Sequence, residues 1–131
     1  YGGGTSGNWL MIFRYPDVVL MVAEAKMRAA AADNVGALAM INDLRLKRGA
    51  TPLATMSLVN PNNVSDPNTL LAERGRELYW EGIRRTDLIR FGVFMKAWYL
   101  KPASDVTHLV FPIPSSALAA NPNLKQNPGY Q

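Results

Sequence analysis

From Tyr15 to Arg48 the chain holds two helix-compatible runs joined by a single short polar break, and this pairing restricts the fold more than any other feature. Pro16 suits the first turn of a helix, where its missing N–H has no role, and Asp17 suits the positive end of the helix dipole. Val18 to Ala32 then carries apolar or small residues on nearly every side, with only Glu24, Lys26 and Arg28 polar, which predicts a largely buried helix. Asp33-Asn34 ends it and caps a second helix from Val35 to Arg48, with Leu38, Ile41 and Leu44 on one face and Gly49 just past its end. The unit is 34 residues long, the length of one tetratricopeptide repeat, and Ala25 and Ala37 are the small residues expected where its helices meet. Any αα-hairpin satisfies the same spacing.

Ala50 to Asn68 reads as a polar connector, its Asn60-Pro61-Asn62-Asn63 and Ser65-Asp66-Pro67-Asn68 being turn chemistry. A third helix is predicted from Thr69 through Glu81, halted by Gly82, and a fourth from Arg84 to about Phe94 with Leu88, Phe91 and Met95 on one stripe. Prolines at 102, 112, 114, 122 and 128 exclude continuous helix from the rest. Leu109 to Pro114 reads as extended, Ser115 as the cap of a short turn through Ala120, and Leu124 and Tyr130 as pins holding the tail to the helices. The fold class expected is all-α, within one module over 1–131. A tetratricopeptide-like hairpin (15–48) and a second helix pair (69–95) are closed by a proline-rich irregular tail (102–131).

At 131 residues, 48% hydrophobic and 18% charged, such a module is too apolar to stay disordered and should bury roughly two-thirds of its unfolded surface. The sequence has no Cys, which excludes disulfides, thiolate metal sites and Cys nucleophiles. Its single histidine, His108, leaves no cluster for zinc or a di-iron centre, so neither metal nor cofactor is expected. A net charge of +4 would suit a polyanion, yet 14 basic residues are interleaved with 10 acidic ones, and no nucleic-acid partner is expected. The longest apolar run, Val18 to Ala23, is far short of the roughly 20 residues that span a bilayer. The opening Tyr1 to Gly7 has no starting Met, basic region or apolar stretch, which suggests a piece of a longer chain.

Charge concentrates between Glu73 and Arg90. Glu73, Glu77 and Glu81 repeat every four residues on one helix face, while Arg84, Asp87 and Arg90 repeat every three on the next helix, and the two ladders are placed to face each other. Three clustered carboxylates invite general acid/base chemistry, because mutual repulsion raises a pKa. Each has an arginine within three or four positions, however, so a structural ion-pair network is the stronger reading and no catalytic residue is assigned.

Glu73-Arg74, Glu77-Leu78, Glu81-Gly82-x-Arg84 and Asp87-Leu88-Ile89-Arg90-Phe91-Gly92 together resemble the signature of the SusD/RagB family. Three further segments resemble family motifs in the same order: Arg14 to Met21 with Ala23-Glu24-Ala25, Ile41-Asn42-Asp43-Leu44-Arg45, and the close from Pro112-Ile113-Pro114 through Asn121-Pro122 to Gln126-Asn127-Pro128-Gly129-Tyr130. Arg85 and Thr86 depart from the aromatics usual after the Arg84 position, and Gly75 inside a helix suggests a close contact there. The resemblance implies a C-terminal segment of a surface-exposed lipoprotein of the outer membrane. Such proteins bind glycans or other nutrients without turning them over and deliver them to a SusC-like TonB-dependent barrel. The lipid-bearing Cys, and with it the attachment to the membrane, would lie in the N-terminal part of the longer chain. The rival class is a stand-alone helical-repeat module that binds peptide or protein.

Glycan sites stack sugars on exposed aromatics beside polar loops, so Trp9, Trp98 and Tyr99 are the candidate ligand contacts, with ordinary packing as the alternative for each. Tyr79 and Trp80 are expected in the core, His108 as a satisfied loop histidine, and Met21, Met27 and Met40 on packing faces.

Overall fold

A computed structural model of the chain describes residues 12–130, and four helices form its body: α1 (Tyr15–Arg28), α2 (Asn34–Lys47), α3 (Leu70–Glu77) and α4 (Arg84–Arg90). A 3₁₀ turn (Val106–Leu109) and α5 (Ser115–Ala120) follow, and no strand occurs among the described residues. The fold is all-α. Pro16 and Asp17 occupy the first turn of α1. That helix ends at Arg28 rather than Ala32, because Ala29 turns to extended backbone and the Asp33 N–H reaches back to the Lys26 carbonyl at 3.0 Å. Asp33 then caps α2, accepting from the Gly36 N–H at 2.8 Å, and its carboxylate approaches Gly36 so closely that a Cβ there would meet Oδ2 at 2.2 Å. Gly49, at φ +69°, closes the other end of α2.

The core gathers Leu20 and Ala23 of α1, Ala37, Ile41 and Leu44 of α2, Leu70 and Leu71 of α3, and Leu88, Phe91 and Val93 at the end of α4. Fully burying a leucine side chain is worth about 1.5–3 kcal/mol, so this cluster is the main apolar term holding the helices together. Two details differ from the sequence reading. Ala23, not the exposed Ala25, is the small α1 residue in the core. The outer face of α1, with Val18, Met21 and Val22, is exposed, so the helix is buried on one side only. Leu38 is half-buried beside the fully buried Ala37.

The connector contributes to the body as well. Val64 is buried, Met56, Leu58 and Val59 pack on the core, and the Ser57 and Leu58 carbonyls accept from the Leu70 and Leu71 N–H groups at 2.9 and 3.3 Å. With the Thr69 hydroxyl accepting from Ala72 N at 3.0 Å, the free donors that begin α3 are satisfied.

The third helix stops at Glu77 instead of continuing to Glu81. Trp80 (φ +64°) and Gly82 (φ +78°) both adopt left-handed backbone that no α-helix can include. Tyr79 and Trp80 are thereby turned off the buried face and stand 74% and 89% exposed, contrary to the core position expected for them. Gly92, at φ +73°, ends α4 early, so Leu88 and Phe91 reach the core while Met95 does not extend their stripe along a helix.

Beyond Val93 no described residue is fully buried. Ser115 begins α5 without a capping bond, and Leu124 is exposed. Tyr130 does pin the tail, but to the 3₁₀ turn rather than to α1–α4: its hydroxyl donates to the Val110 carbonyl at 2.9 Å. Gln126 pairs with the Ile113 backbone in both directions, at 2.8 and 3.0 Å, and Asn127 Nδ2 donates to the Phe111 carbonyl at 2.7 Å. Arg85 fastens this assembly to α4 by donating to the His108 and Leu109 carbonyls at 2.9 and 3.2 Å, with its guanidinium 4.2 Å from the Phe111 ring centroid.

Candidate functional site

The charged residues sort into three clusters around α3. In the first, Glu77 takes Arg14 Nη1 at 2.6 Å and Arg48 through Nε and Nη2 at 3.1 and 2.8 Å, while Arg14 Nε also reaches Glu81 at 2.8 Å. Arg14 caps the start of α1 and Arg48 the end of α2, so the shared carboxylate shows these ends lying side by side and the two helices running antiparallel. Hydrogen bonds from Arg48 and Arg14 hold the Glu77 carboxyl below its ordinary pKa, against the opposing effect of burial.

In the second cluster Glu73 accepts from Arg45 Nη1 at 2.7 Å and from Arg76. The third lies between α1, α3 and α4. Arg74, only 5% exposed, donates through Nε to Asp87 at 2.7 Å and sets Nη1 3.1 Å from Asp17 Oδ1, an ion contact lacking aligned hydrogen-bond geometry. Arg90 donates to the other oxygen of Asp87 at 2.8 Å and to Glu24, which also takes Arg28 Nε at 2.7 Å.

Glu73, Glu77, Glu81, Asp87 and Arg90 are thus all paired, although the two ladders do not face each other: Glu24 of α1, Arg45 of α2 and the flanking Arg14 and Arg48 supply partners from outside α3 and α4, and Arg74 and Arg76 supply the others. Arg84 makes no ion pair among the described residues. Its Nη1 instead donates to the Leu71 carbonyl at 2.8 Å, lying where a Cβ on Gly75 would meet it at 2.9 Å. The close contact expected at Gly75 is therefore with this guanidinium rather than with a helix. Sequence reasoning missed Arg14, Asp17, Glu24, Arg45, Arg48 and Arg74 as members of the network. A signal for five of them existed, since all but Arg48 lie in the motif segments quoted above. Glu77, whose carboxyl Arg48 and Arg14 hold below its ordinary pKa, is an anion at neutral pH and poorly suited to deliver a proton.

The aromatic candidates separate. Trp9 lies outside the described residues. Trp98 and Lys101 exchange backbone hydrogen bonds at 3.0 and 2.9 Å, forming a tight turn with Leu100 at φ +62°. Trp98 is half-buried against the core with Lys101 Nζ 4.4 Å from its ring centroid, whereas Tyr99 stands 80% exposed at the tip. His108 sits exposed, its Nδ1 3.2 Å from the Asp105 carbonyl. Among the described residues no acidic or histidine group could hold a metal ion, and no helix is long and apolar enough to cross a membrane.

Comparison with known proteins adds to this geometry. The family model described as the SusD family matches residues 1–108. The starch-binding protein SusD of Bacteroides thetaiotaomicron is 34% identical over 129 residues, an alignment covering 92% of this chain and 21% of that protein. A SusD-like protein of Formosa agariphila is 28% identical over 127 residues, covering 92% of this chain and 24% of the relative. The chain therefore spans about a fifth to a quarter of the length of these relatives.

Proposed function

This chain belongs to the SusD family, and from that premise we propose that it is the C-terminal part of a surface lipoprotein that binds a glycan and passes it to a SusC-like TonB-dependent barrel in the outer membrane. The observation carrying the reading is the 34% identity to a starch-binding protein across 92% of the chain. Binding without turnover is favoured because Glu73, Glu77, Glu81 and Asp87 are each engaged by an arginine in structural pairs rather than set against an open cleft. Of the three aromatic candidates, Tyr99 stands exposed where a sugar could stack on it, Trp9 is a second candidate, and Trp98 is chiefly a packing residue. The role in ligand contact is peripheral, most of the binding surface being contributed by other parts of the longer protein.

Titration calorimetry of the full-length protein against starch-derived and unrelated oligosaccharides tests this. A saturable heat with no released product is expected, and Trp98→Ala or Tyr99→Ala should weaken affinity by less than about tenfold. Product release that disappears in Glu77→Gln would overturn the binding reading. Loss of all binding in Tyr99→Ala, with the fold intact by circular dichroism, would place the main pocket at this turn.

A further inference from the structure

Three arginines and one aspartate line a hollow of about 400 Å³ between α3 and α4, with the exposed Tyr79 and Trp80 beside them. The charges are unevenly matched. Arg74 meets Asp17 and Asp87, and Asp87 is taken by Arg90 as well. Arg85 is turned to the His108 and Leu109 carbonyls and to the Phe111 ring. Arg84 makes one hydrogen bond, from Nη1 to the Leu71 carbonyl, and meets no carboxylate among the described residues. Residues 1–11 contain no Asp or Glu that would supply one. Desolvation lowers the pKa of Arg84 and Asp87 only partly opposes it, as expected of a cation short of an anion.

Two local features fix this unmatched cation and an aromatic ring at one place. Gly75, lacking a Cβ, leaves the space in which the Arg84 guanidinium lies against α3. Trp80 stands in left-handed backbone while its side chain gains no burial, so nothing in the core compensates the strain, and strained residues of this kind gather at ligand sites. A planar guanidinium matches the oxygens of a carboxylate or sulfate, and an indole takes the apolar face of a sugar ring. The volume lies within the range of about 300–1,000 Å³ usual for small-ligand sites. Resting on the glycan-binding reading above, we propose that this hollow is a subsite for an anionic sugar unit, its ring stacked on Trp80 and its carboxylate or sulfate held by Arg84. Trp80 selects the sugar face and Arg84 the charge, which together separate such a unit from a neutral hexose.

Titration calorimetry of the full-length protein with three probes of equal length tests this: a malto-oligosaccharide, an oligogalacturonide and a sulfated galactan oligosaccharide. At low salt at least one anionic probe should bind at least about tenfold more tightly than the neutral one, an advantage that shrinks as salt is raised. The uronate and sulfate arms show which anion is taken. Arg84→Gln should remove the advantage while leaving the neutral probe's affinity within about twofold. Trp80→Gly suits the left-handed backbone, so it should weaken the anionic probe by at least about tenfold without lowering the melting temperature. Preference for the neutral probe, or an anionic preference unchanged in Arg84→Gln, would overturn the proposal and leave the glycan-binding reading standing. A lowered melting temperature in Trp80→Gly with affinity unchanged would overturn it too, by making Trp80 a packing residue. Should Arg84→Gln fail to fold, Trp80→Gly decides alone. Failure of the protein to bind any glycan would remove the reading and the proposal together.

Discussion

The helical body and the C-terminal tail are both held by arginine, but to different acceptors. In the body, Arg14, Arg45, Arg74 and Arg90 meet carboxylates beside a packed apolar core. In the tail, Arg85, Gln126 and Asn127 meet backbone carbonyls where no described residue is fully buried. The difference follows from water. Ions enclosed by apolar packing interact through a low dielectric and resist screening, and removing one partner strands the other. Hydrogen bonds at an open surface exchange with water and are each worth about 1 kcal/mol net. The body should therefore open as a unit and the tail piecemeal, at much lower free energy.

The strongest test of that contrast is Arg74→Ala in the full-length protein. It leaves Asp17 and Asp87 buried without their shared cation and should lower stability by about 3–5 kcal/mol, read as faster hydrogen exchange throughout α1 and α3. Protection unchanged in those helices would mean that the buried pairs do not unite the body.

Glu77→Gln should have a smaller, pH-dependent effect. The carboxyl is held below its ordinary value in the folded state, so its contribution is fully present above the unfolded pKa of about 4.3 and is lost as pH falls through the folded value. At neutral pH the substitution should lower stability by about 1.5–3 kcal/mol, the range for hydrogen bonds to charged groups. The gap between the two proteins should then close on acidification below about pH 4. A gap of constant size across that range would assign the loss to packing instead of charge.

Gln126→Ala should do least, about 1 kcal/mol, and only in the tail. Faster exchange confined to residues near Ile113 and Gln126 is expected. An equal increase in α1 or α2 would erase the distinction between the two regions.

Much of the body was legible because its determinants are local: Pro16, Asp33, Thr69 and Gly49 mark helix ends by chemistry that acts within a few residues. Trp80 hid the end of α3, since nothing in its side chain announces a left-handed backbone, and helical periodicity continued through Glu81. The charged site was legible in kind but not in pairing. Glu73, Glu77 and Glu81 could be seen to need cations, yet spacing along one helix favours local partners, whereas Arg14 and Arg48 arrive from 63 and 29 residues away. Arg85 looked like a departure from a motif, and only the folded tail reveals the carbonyls it serves. The outer face of α1 was misread because apolar residues predict burial without saying what provides it.

Glu77 does in this chain something usually assigned to a disulfide. By accepting Arg14 and Arg48 together it closes loops of 63 and 29 residues on a single carboxylate, in a sequence with no cysteine. Because doubling a loop adds only about 0.6 kcal/mol to the entropy of closing it, the long closure is nearly as accessible as the short one. Such a crosslink is indifferent to thiols and oxidants, and it is released by a proton rather than by an electron.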